Sequence, residues 1–286
     1  MMIKTLRRTL QNKITGHTSL VSRLSSGLAL TFTLAGALGM SGPAWAGQNG
    51  SPVDLGEYGE LLSTHTYATQ DIVGTRVDYK ALTRSAELKS LVRQVETAKP
   101  STLDRNEKLA FWINAYNLLA IDLIVKNYPV DSIKDIGSFF SPVWDLEVAT
   151  IEGKSVSLGG IEHEILRKMG EPRIHAAIIC ASTSCPPLAR SPFSPATLNA
   201  DLDGAMKSWL TSEEKGIAIN RSARTVRLSK IFDWFEEDFE SKGGVLQSVT
   251  PYLDASDAAW LAQNGRSATI SYFGYDWSLN DRLRAR

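Results

Sequence analysis

The chain has 286 residues with 43% apolar side chains, 22% charged and 8% aromatic, and 31 Lys plus Arg balance 31 Asp plus Glu. That length can bury a sizeable core, and the composition excludes bulk disorder, a collagen-like repeat and a disulfide-dense mini-scaffold. Zero net charge and only two cysteines, Cys180 and Cys185, argue against a nucleic-acid partner and place any thiol chemistry in one short segment.

Residues 1–46 hold Lys4, Arg7, Arg8, Lys13 and Arg23 and no acidic residue; the apolar run Leu28 to Met40 and the triplet Ala44-Trp45-Ala46 follow. A basic arm, an apolar stretch too short to span a bilayer and an Ala-x-Ala site predict a cleaved signal peptide. Its removal leaves 240 residues with 26 basic and 31 acidic side chains, a net charge of −5. The expectation is one mature, extracytoplasmic domain over 47–286, with no later run of some 18 apolar residues and hence no stable membrane span after cleavage.

Along that domain, Glu57 to Thr66 reads as a short helix, Arg76 to Lys80 as extended and Ser85 to Thr97 as an amphipathic helix. Asp104 with Glu107 forms an acidic capping box that opens a helix to about Lys126, closed by Asn127-Tyr-Pro129. Alternation over Leu146 to Ile151 and Lys154 to Leu158 about Glu152-Gly153 predicts a hairpin. Ser157 caps a helix ending at Met169 before Gly170 and Pro172. Arg173 to Cys180 reads as a buried strand with Ile174, Ala176 and Ile178 on one face and His175 on the other. A helix follows from Ser194 to Thr211, then a hairpin of Ile217–Asn220 with Thr225–Leu228. Helices at Ile231–Ser241, Val245–Leu253 and Asp257–Gln263 lead to a closing strand, Ala268–Tyr272. The class is α+β: helix-rich, with short antiparallel hairpins and no β-α-β-α alternation.

Four segments carry polar chemistry. Asn114 and Asn117 lie three apart on one face of the central helix amid apolar neighbours; they either bond backbone at a chain crossing, or orient a catalytic histidine or donate to an oxyanion. In Glu162-His163, the histidine sits on the polar side of the next helix, one turn from Arg167, where it is either a surface residue or a general base beside acids. The alternation keeps His175 away from Cys180. The cysteines themselves allow a disulfide, a nucleophile made acidic by Arg173, Arg190 and a histidine, or inert thiols; their spacing fits no zinc motif. The aromatics of Leu228 to Phe239, including Trp234, have helical spacing and read as core, and Tyr275-Asp-Trp277 echoes them.

In combination, Phe111-Trp-Ile-Asn-Ala-Tyr-Asn117, Ile161-Glu-His163 with Leu166-Arg167, Arg173-Ile-His175 with Cys180 and Ser184-Cys185-Pro186, and Leu228-Ser-Lys-Ile-Phe232 with Trp234 and Asp238-Phe239 resemble the family called domain of unknown function 547, over about residues 76–240. Tyr275 to Asn280 resembles the tail of its secreted bacterial members. The resemblance implies Asn and Gly at positions 179 and 181, where this chain has Ile179 and Ala181. That departure favours Cys185 over Cys180 as the reactive thiol.

Two functions follow as expectations. The first is a thiol-dependent hydrolase or acyl-transferase with Cys185 as nucleophile, His163 as base and Asn114 or Glu162 orienting that base, in a papain- or transglutaminase-like arrangement, with Cys180 and His175 in the same site. The second is a non-catalytic envelope module with a Cys180–Cys185 disulfide. Neither calls for a cofactor or a metal, and the partner is an unidentified substrate or envelope component.

Overall fold

A long central helix organises the core of the protein, whose structure, a computed structural model, describes residues 51–284. The segment read as a signal peptide lies outside the described residues.

Three helices and a hairpin build the first part: α1 (Leu55–His65), β1 (Thr66–Ala68) paired antiparallel with β2 (Thr75–Val77), α2 (Tyr79–Leu82) and α3 (Ala86–Thr97). Ser85 Oγ accepts from Leu88 N and caps α3. The reading of Arg76 to Lys80 as extended holds only as far as Val77. Asp78 then accepts from Ala81 N and starts α2.

Helix α4 (Arg105–Asn127) begins as its sequence dictates. Asp104 accepts from Asn106 N and Glu107 N, and Glu107 accepts from Asp104 N, so the capping box satisfies three amides that the helix cannot. Every residue from Leu109 to Ile124 is buried. Among the described residues this helix has the length and apolarity to cross a membrane, a property that the reading of no further apolar run passed over. Its apolar window is 89% buried inside the protein, as a core helix requires.

The hairpin of β3 (Glu147–Ile151) and β4 (Lys154–Ser157) turns through Glu152 and Gly153, both at positive φ (50° and 73°), the type I′ geometry that two-residue hairpins favour. Ser157 then caps the next segment through Gly160 N at 3.0 Å. That segment is not a plain α-helix: Gly160–Leu166 is a π-helical turn, followed by a 3₁₀ turn over Arg167–Met169 and Gly170 in the left-handed region. A side chain at Gly159 would place its Cβ 2.9 Å from the Trp144 carbonyl oxygen, so glycine is what lets the turn pack onto that backbone.

The strand expected over Arg173 to Cys180 does not exist. Ile174–Ala177 forms one helical turn, α5, and the chain becomes extended only at Ile178. Helix α6 (Leu198–Leu210) starts later than Ser194, after a Ser194–Thr197 turn.

Strands β5 (Ile217–Asn220) and β6 (Thr225–Leu228) pair as the predicted hairpin, and α7 (Lys230–Trp234), α8 (Glu236–Phe239), α9 (Val245–Val249) and α10 (Ala255–Asn264) follow. The helix expected to run unbroken from Ile231 to Ser241 breaks at Phe235. The last strand, β7 (Thr269–Tyr272), pairs parallel with β6, where the reading had allowed hairpins alone. The fold is a helix-rich α+β arrangement with small, mainly antiparallel sheets.

Two apolar clusters result. One surrounds α4; the other gathers Met206, Trp209, Phe232, Phe239 and Val249, with Trp209 and Phe232 stacked at 4.6 Å. Helix α5 sits where they meet: Ile174 and Ala177 belong to the first and Ala176 to the second.

Candidate active site

The two asparagines of α4 clamp backbone on either side of the cysteine segment, Asn117 just before Cys180 and Asn114 beyond Cys185 at Phe193. Asn117 Nδ2 donates to Ala177 O (2.9 Å) and its Oδ1 accepts from Ile179 N (2.9 Å). Asn114 clamps Phe193 in the same way, donating to its carbonyl (2.8 Å) and accepting from its amide (3.0 Å). Both amides are 1% exposed and spend one donor and their acceptor on backbone, the chain-crossing role among the two foreseen. The hydrogen bonds of Asn114 go to Phe193 and that of His163 to Arg167, so of the two groups expected to orient the ring, Asn114 does not do so by a hydrogen bond.

Beyond Ile179 the chain turns sharply. Ala181 adopts φ +56°, a left-handed conformation that costs a non-glycine residue about 1–2 kcal/mol. This is the position where the family resemblance implies glycine, and the backbone shows why. The twist swings the Ser182 amide back onto Cys180 Sγ. Three further groups reach that sulfur: Cys185 Sγ at 2.9 Å, Tyr275 Oη at 3.0 Å and Ser182 Oγ at 3.1 Å. Ser182 has one hydroxyl proton to share between Cys180 and Tyr275 Oη, 3.2 Å away. Burial pushes the Cys180 pKa up, yet these donors outweigh it and bring it down to about 7. Cys185 is the opposite case: burial, and donation of its proton toward Cys180, hold its pKa well above the usual thiol range.

The structure thus orders the thiols the other way round from the sequence. Cys180 is half-buried and anion-stabilised; Cys185 is buried and protonated. Both are free, with the sulfurs 2.9 Å apart rather than the ~2.05 Å of a disulfide. Hydrogen bonds, not the arginines, make Cys180 acidic. Arg173 is committed to Glu171 and Asp203, each at 2.7 Å, and Arg190 to Thr66.

The loop is held from two sides. The C-terminal segment lies against it through Thr183 N to Ser278 O (2.8 Å), Asn280 N to Ala181 O (2.9 Å) and Asp276 N to Ser184 Oγ (2.9 Å). Opposite, Lys215 is 2% exposed and its Nζ donates to the carbonyls of Cys185 (2.6 Å), Val73 (2.8 Å) and Thr183 (3.3 Å); burial pulls its pKa down to about 8. Lys215→Met should lower stability by about 2 kcal/mol in urea titrations, because three carbonyls lose their donor; an unchanged midpoint would show that water replaces the ammonium.

A carboxylate and imidazole network flanks the thiols. Arg167 binds Asp238 bidentately, Nε to Oδ2 at 2.6 Å and Nη2 to Oδ1 at 2.8 Å, and also pairs with Glu237. His175 Nε2 lies 2.7 Å from Asp238 Oδ2. Burial raises the Asp238 pKa, but the bonds from His175 and Arg167 prevail and lower it to about 2. His175 is buried and stacked on Phe235 at 4.3 Å; burial lowers its pKa, so it is neutral, with Nε2–H on Asp238 and the Nδ1 lone pair turned toward Glu162 Oε1, 3.9 Å away. Within the π-helical turn Glu162 points inward and His163 outward. Burial, then the charge on Cys180, raises the Glu162 pKa to about 7 despite a hydrogen bond from Tyr116.

His163 stands apart from this. It is exposed, its Nδ1 lies 3.2 Å from Arg167 Nη1, and burial of part of the ring followed by the Arg167 cation lowers its pKa. Since guanidinium can only donate, Nδ1 is the acceptor and its lone pair is occupied. No hydrogen bond joins His163 to Cys185, so the pair expected from the sequence is not assembled. The site instead gathers Cys180, Cys185, Glu162 and His175 from the sequence candidates, and adds Tyr275, Ser182, Tyr116, Lys215, Arg167 and Asp238. Lys215 carries no sequence signal, because a lysine beside two acids is ordinarily a solvated side chain.

Above Cys180 lies a roof of aromatics. Tyr275 packs on Trp277 (4.6 Å) and Trp234 (4.7 Å), and Trp234 stacks on Trp277 at 5.8 Å and 19°. Trp234 is 43% exposed, which corrects its reading as core. A recess of about 80 Å³ lined by Arg167, Pro172, Ile174 and Asp238 lies beside the carboxylate. A groove of about 750 Å³ runs past Asp71, Arg190 and Asp201 with Lys215 in its wall and neither cysteine.

No curated protein and no solved structure matches the chain. A family model does, over residues 100–210, a shorter span than the 76–240 read from the motifs; it takes in both asparagines, Glu162, both histidines and both cysteines, and leaves Lys215, Asp238 and Tyr275 outside. Over that stretch the chain resembles the family described as "Protein of unknown function, DUF547".

Proposed function

We propose that the protein is a thiol-dependent hydrolase or acyl-transferase in which Cys180, not Cys185, is the nucleophile and Glu162 is the proton carrier. The convergence of donors on Cys180 Sγ carries this reading, because it supplies a thiolate near neutral pH without a directly bonded histidine. The thiolate attacks an acyl carbon and the C–S bond forms. The leaving group departs with the proton of the neutral Glu162 carboxyl. Water, or an acceptor nucleophile, then attacks the thioester; Glu162 takes its proton and Cys180 leaves as thiolate. His175, fixed by Asp238, keeps a lone pair facing Glu162 and steadies its protonated form. The basic arm, apolar run and Ala44-Trp45-Ala46 support action outside the cytoplasm after cleavage.

Alkylation by iodoacetamide across pH, followed by peptide mass spectrometry, tests the assignment. Cys180 should react first, with a rate midpoint near pH 7, and Cys185 at least about tenfold more slowly. With p-nitrophenyl acetate the wild type should give an acyl adduct on Cys180 that Cys180→Ser lacks. Preferential labelling of Cys185, or a Cys180 midpoint near the ordinary thiol value, would remove the nucleophile. A non-catalytic envelope module is the second reading, favoured by the exposed face of Trp234 in the aromatic roof.

A further inference from the structure

We propose that Cys180 and Cys185 form a peroxide-responsive dithiol, in which Cys180 is oxidised first and Cys185 resolves it to an intramolecular disulfide that switches the site off. The inference rests on the preceding reading for the reactive Cys180 thiolate and the proton held by Glu162; it stands whether or not the site transfers acyl groups.

The geometry separates the two roles. Cys180 is half-buried, while Cys185 is 3% exposed and has its thiol directed at Cys180. The sulfurs need close only from 2.9 Å to bond. The intervening Ser182–Ser184 turn is already formed, since Cys185 N bonds Ser182 O at 3.1 Å, and Lys215 fixes the Cys185 carbonyl, so little chain order remains to be gained. Tertiary anchoring of this kind favours an internal bond over a bond to another molecule.

A hydroperoxide is the fitting oxidant. Cys180 lies beneath the Tyr275 hydroxyl and the aromatic roof, which favours a small molecule, and the nearby Glu162 carboxyl can protonate the oxygen that leaves. In the first step the Cys180 thiolate takes the terminal oxygen of ROOH: the S–O bond forms, the O–O bond breaks, and RO⁻ leaves as ROH with the Glu162 proton. In the second, Cys185 sulfur attacks the sulfenic sulfur; the S–S bond forms and the S–O bond breaks. Hydroxide leaves with the Cys185 proton as water, and Glu162 recovers its proton from solvent. Two thiols are oxidised and one peroxide is reduced.

The bond would also remove the thiolate that accepts from Tyr275, whose ring packs on Trp234 and Trp277, so tryptophan emission should report the change. The experiment treats the reduced full chain with one equivalent of hydrogen peroxide. Free thiols should fall from two to none, the intact mass should drop by two hydrogens, mapping should place the bond at Cys180–Cys185, and dithiothreitol should restore the starting emission. Cys185→Ser should instead accumulate a sulfenic acid on Cys180 that dimedone traps, and Cys180→Ser should leave Cys185 unmodified. If the wild-type Cys180 is trapped by dimedone or over-oxidised without an internal disulfide, or if both thiols stay free, the relay is refuted. No acyl substrate is used, so a disulfide that closes in a protein lacking esterase activity would refute the acyl-transfer reading alone.

Discussion

Asn117→Ala should lower the unfolding free energy by about 3–5 kcal/mol and, where the protein still folds, abolish the enhanced reactivity of Cys180. The substitution leaves Ala177 O and Ile179 N buried without a partner, at roughly 1–3 kcal/mol for each group, and opens a void in a fully buried wall of α4. Those two groups bracket the point where α5 ends and the chain runs out toward Cys180. Once they are released, the left-handed turn at Ala181 loses the support that offsets its strain, and the Ser182 amide no longer meets the sulfur. Asn114→Ala is the matched control. It strips the same two hydrogen bonds from Phe193 and should cost a similar amount in urea unfolding, yet keep the Cys180 alkylation midpoint near 7. Equal loss of thiol reactivity in both variants would mean that the amides act only through global stability. A loss below about 1 kcal/mol for Asn117→Ala would mean that water takes over both groups.

The same residue marks what could be read in advance. Helix ends were legible because capping is local: Asp104 with Glu107, Ser85 and Ser157 each bond an amide two or three positions on. The hairpin at Glu152-Gly153 was legible for the same reason. Ile174-His-Ala-Ala-Ile-Ile179 was not, since a short apolar run suits a buried strand or a buried helical turn equally. What decides it is the Asn117 amide from 60 positions away, which accepts the Ile179 N–H and takes the Ala177 carbonyl. The thiol assignment failed similarly. Charge near the cysteines in sequence suggested arginine activation, whereas the sulfur is served by Tyr275, 95 residues on, and by a backbone amide turned by Ala181. Parallel pairing of β7 with β6 likewise depends on four intervening helices.

Glu162→Gln should separate thiolate formation from turnover and at the same time flatten the pH dependence of stability. Burial and the Cys180 charge raise the Glu162 pKa from 4.5 to about 7 in the folded protein. Between those values the native state binds a proton that the unfolded state has released, so the contribution to stability is complete below about pH 4.5 and is lost as pH rises through 7. At 1.36 kcal/mol per unit, the loss is about 3 kcal/mol. Glutamine keeps the shape and the ability to accept from Tyr116 without titrating, so the variant should gain on the wild type above pH 7.5 and match it near pH 5, as urea unfolding at the two pH values would read. Cys180 should alkylate as fast in the variant as in the wild type, or faster above pH 7, where the carboxylate no longer opposes the thiolate. Acyl turnover should nevertheless fall by about 10²–10⁴-fold, the usual worth of a positioned proton donor, with kcat affected more than KM. Retained turnover would take the proton-carrier role from Glu162. An unchanged stability slope between pH 5 and 8 would show that the carboxyl ionises normally, and the neutral acid beside Cys180 would have to be sought elsewhere in the His175 and Asp238 network.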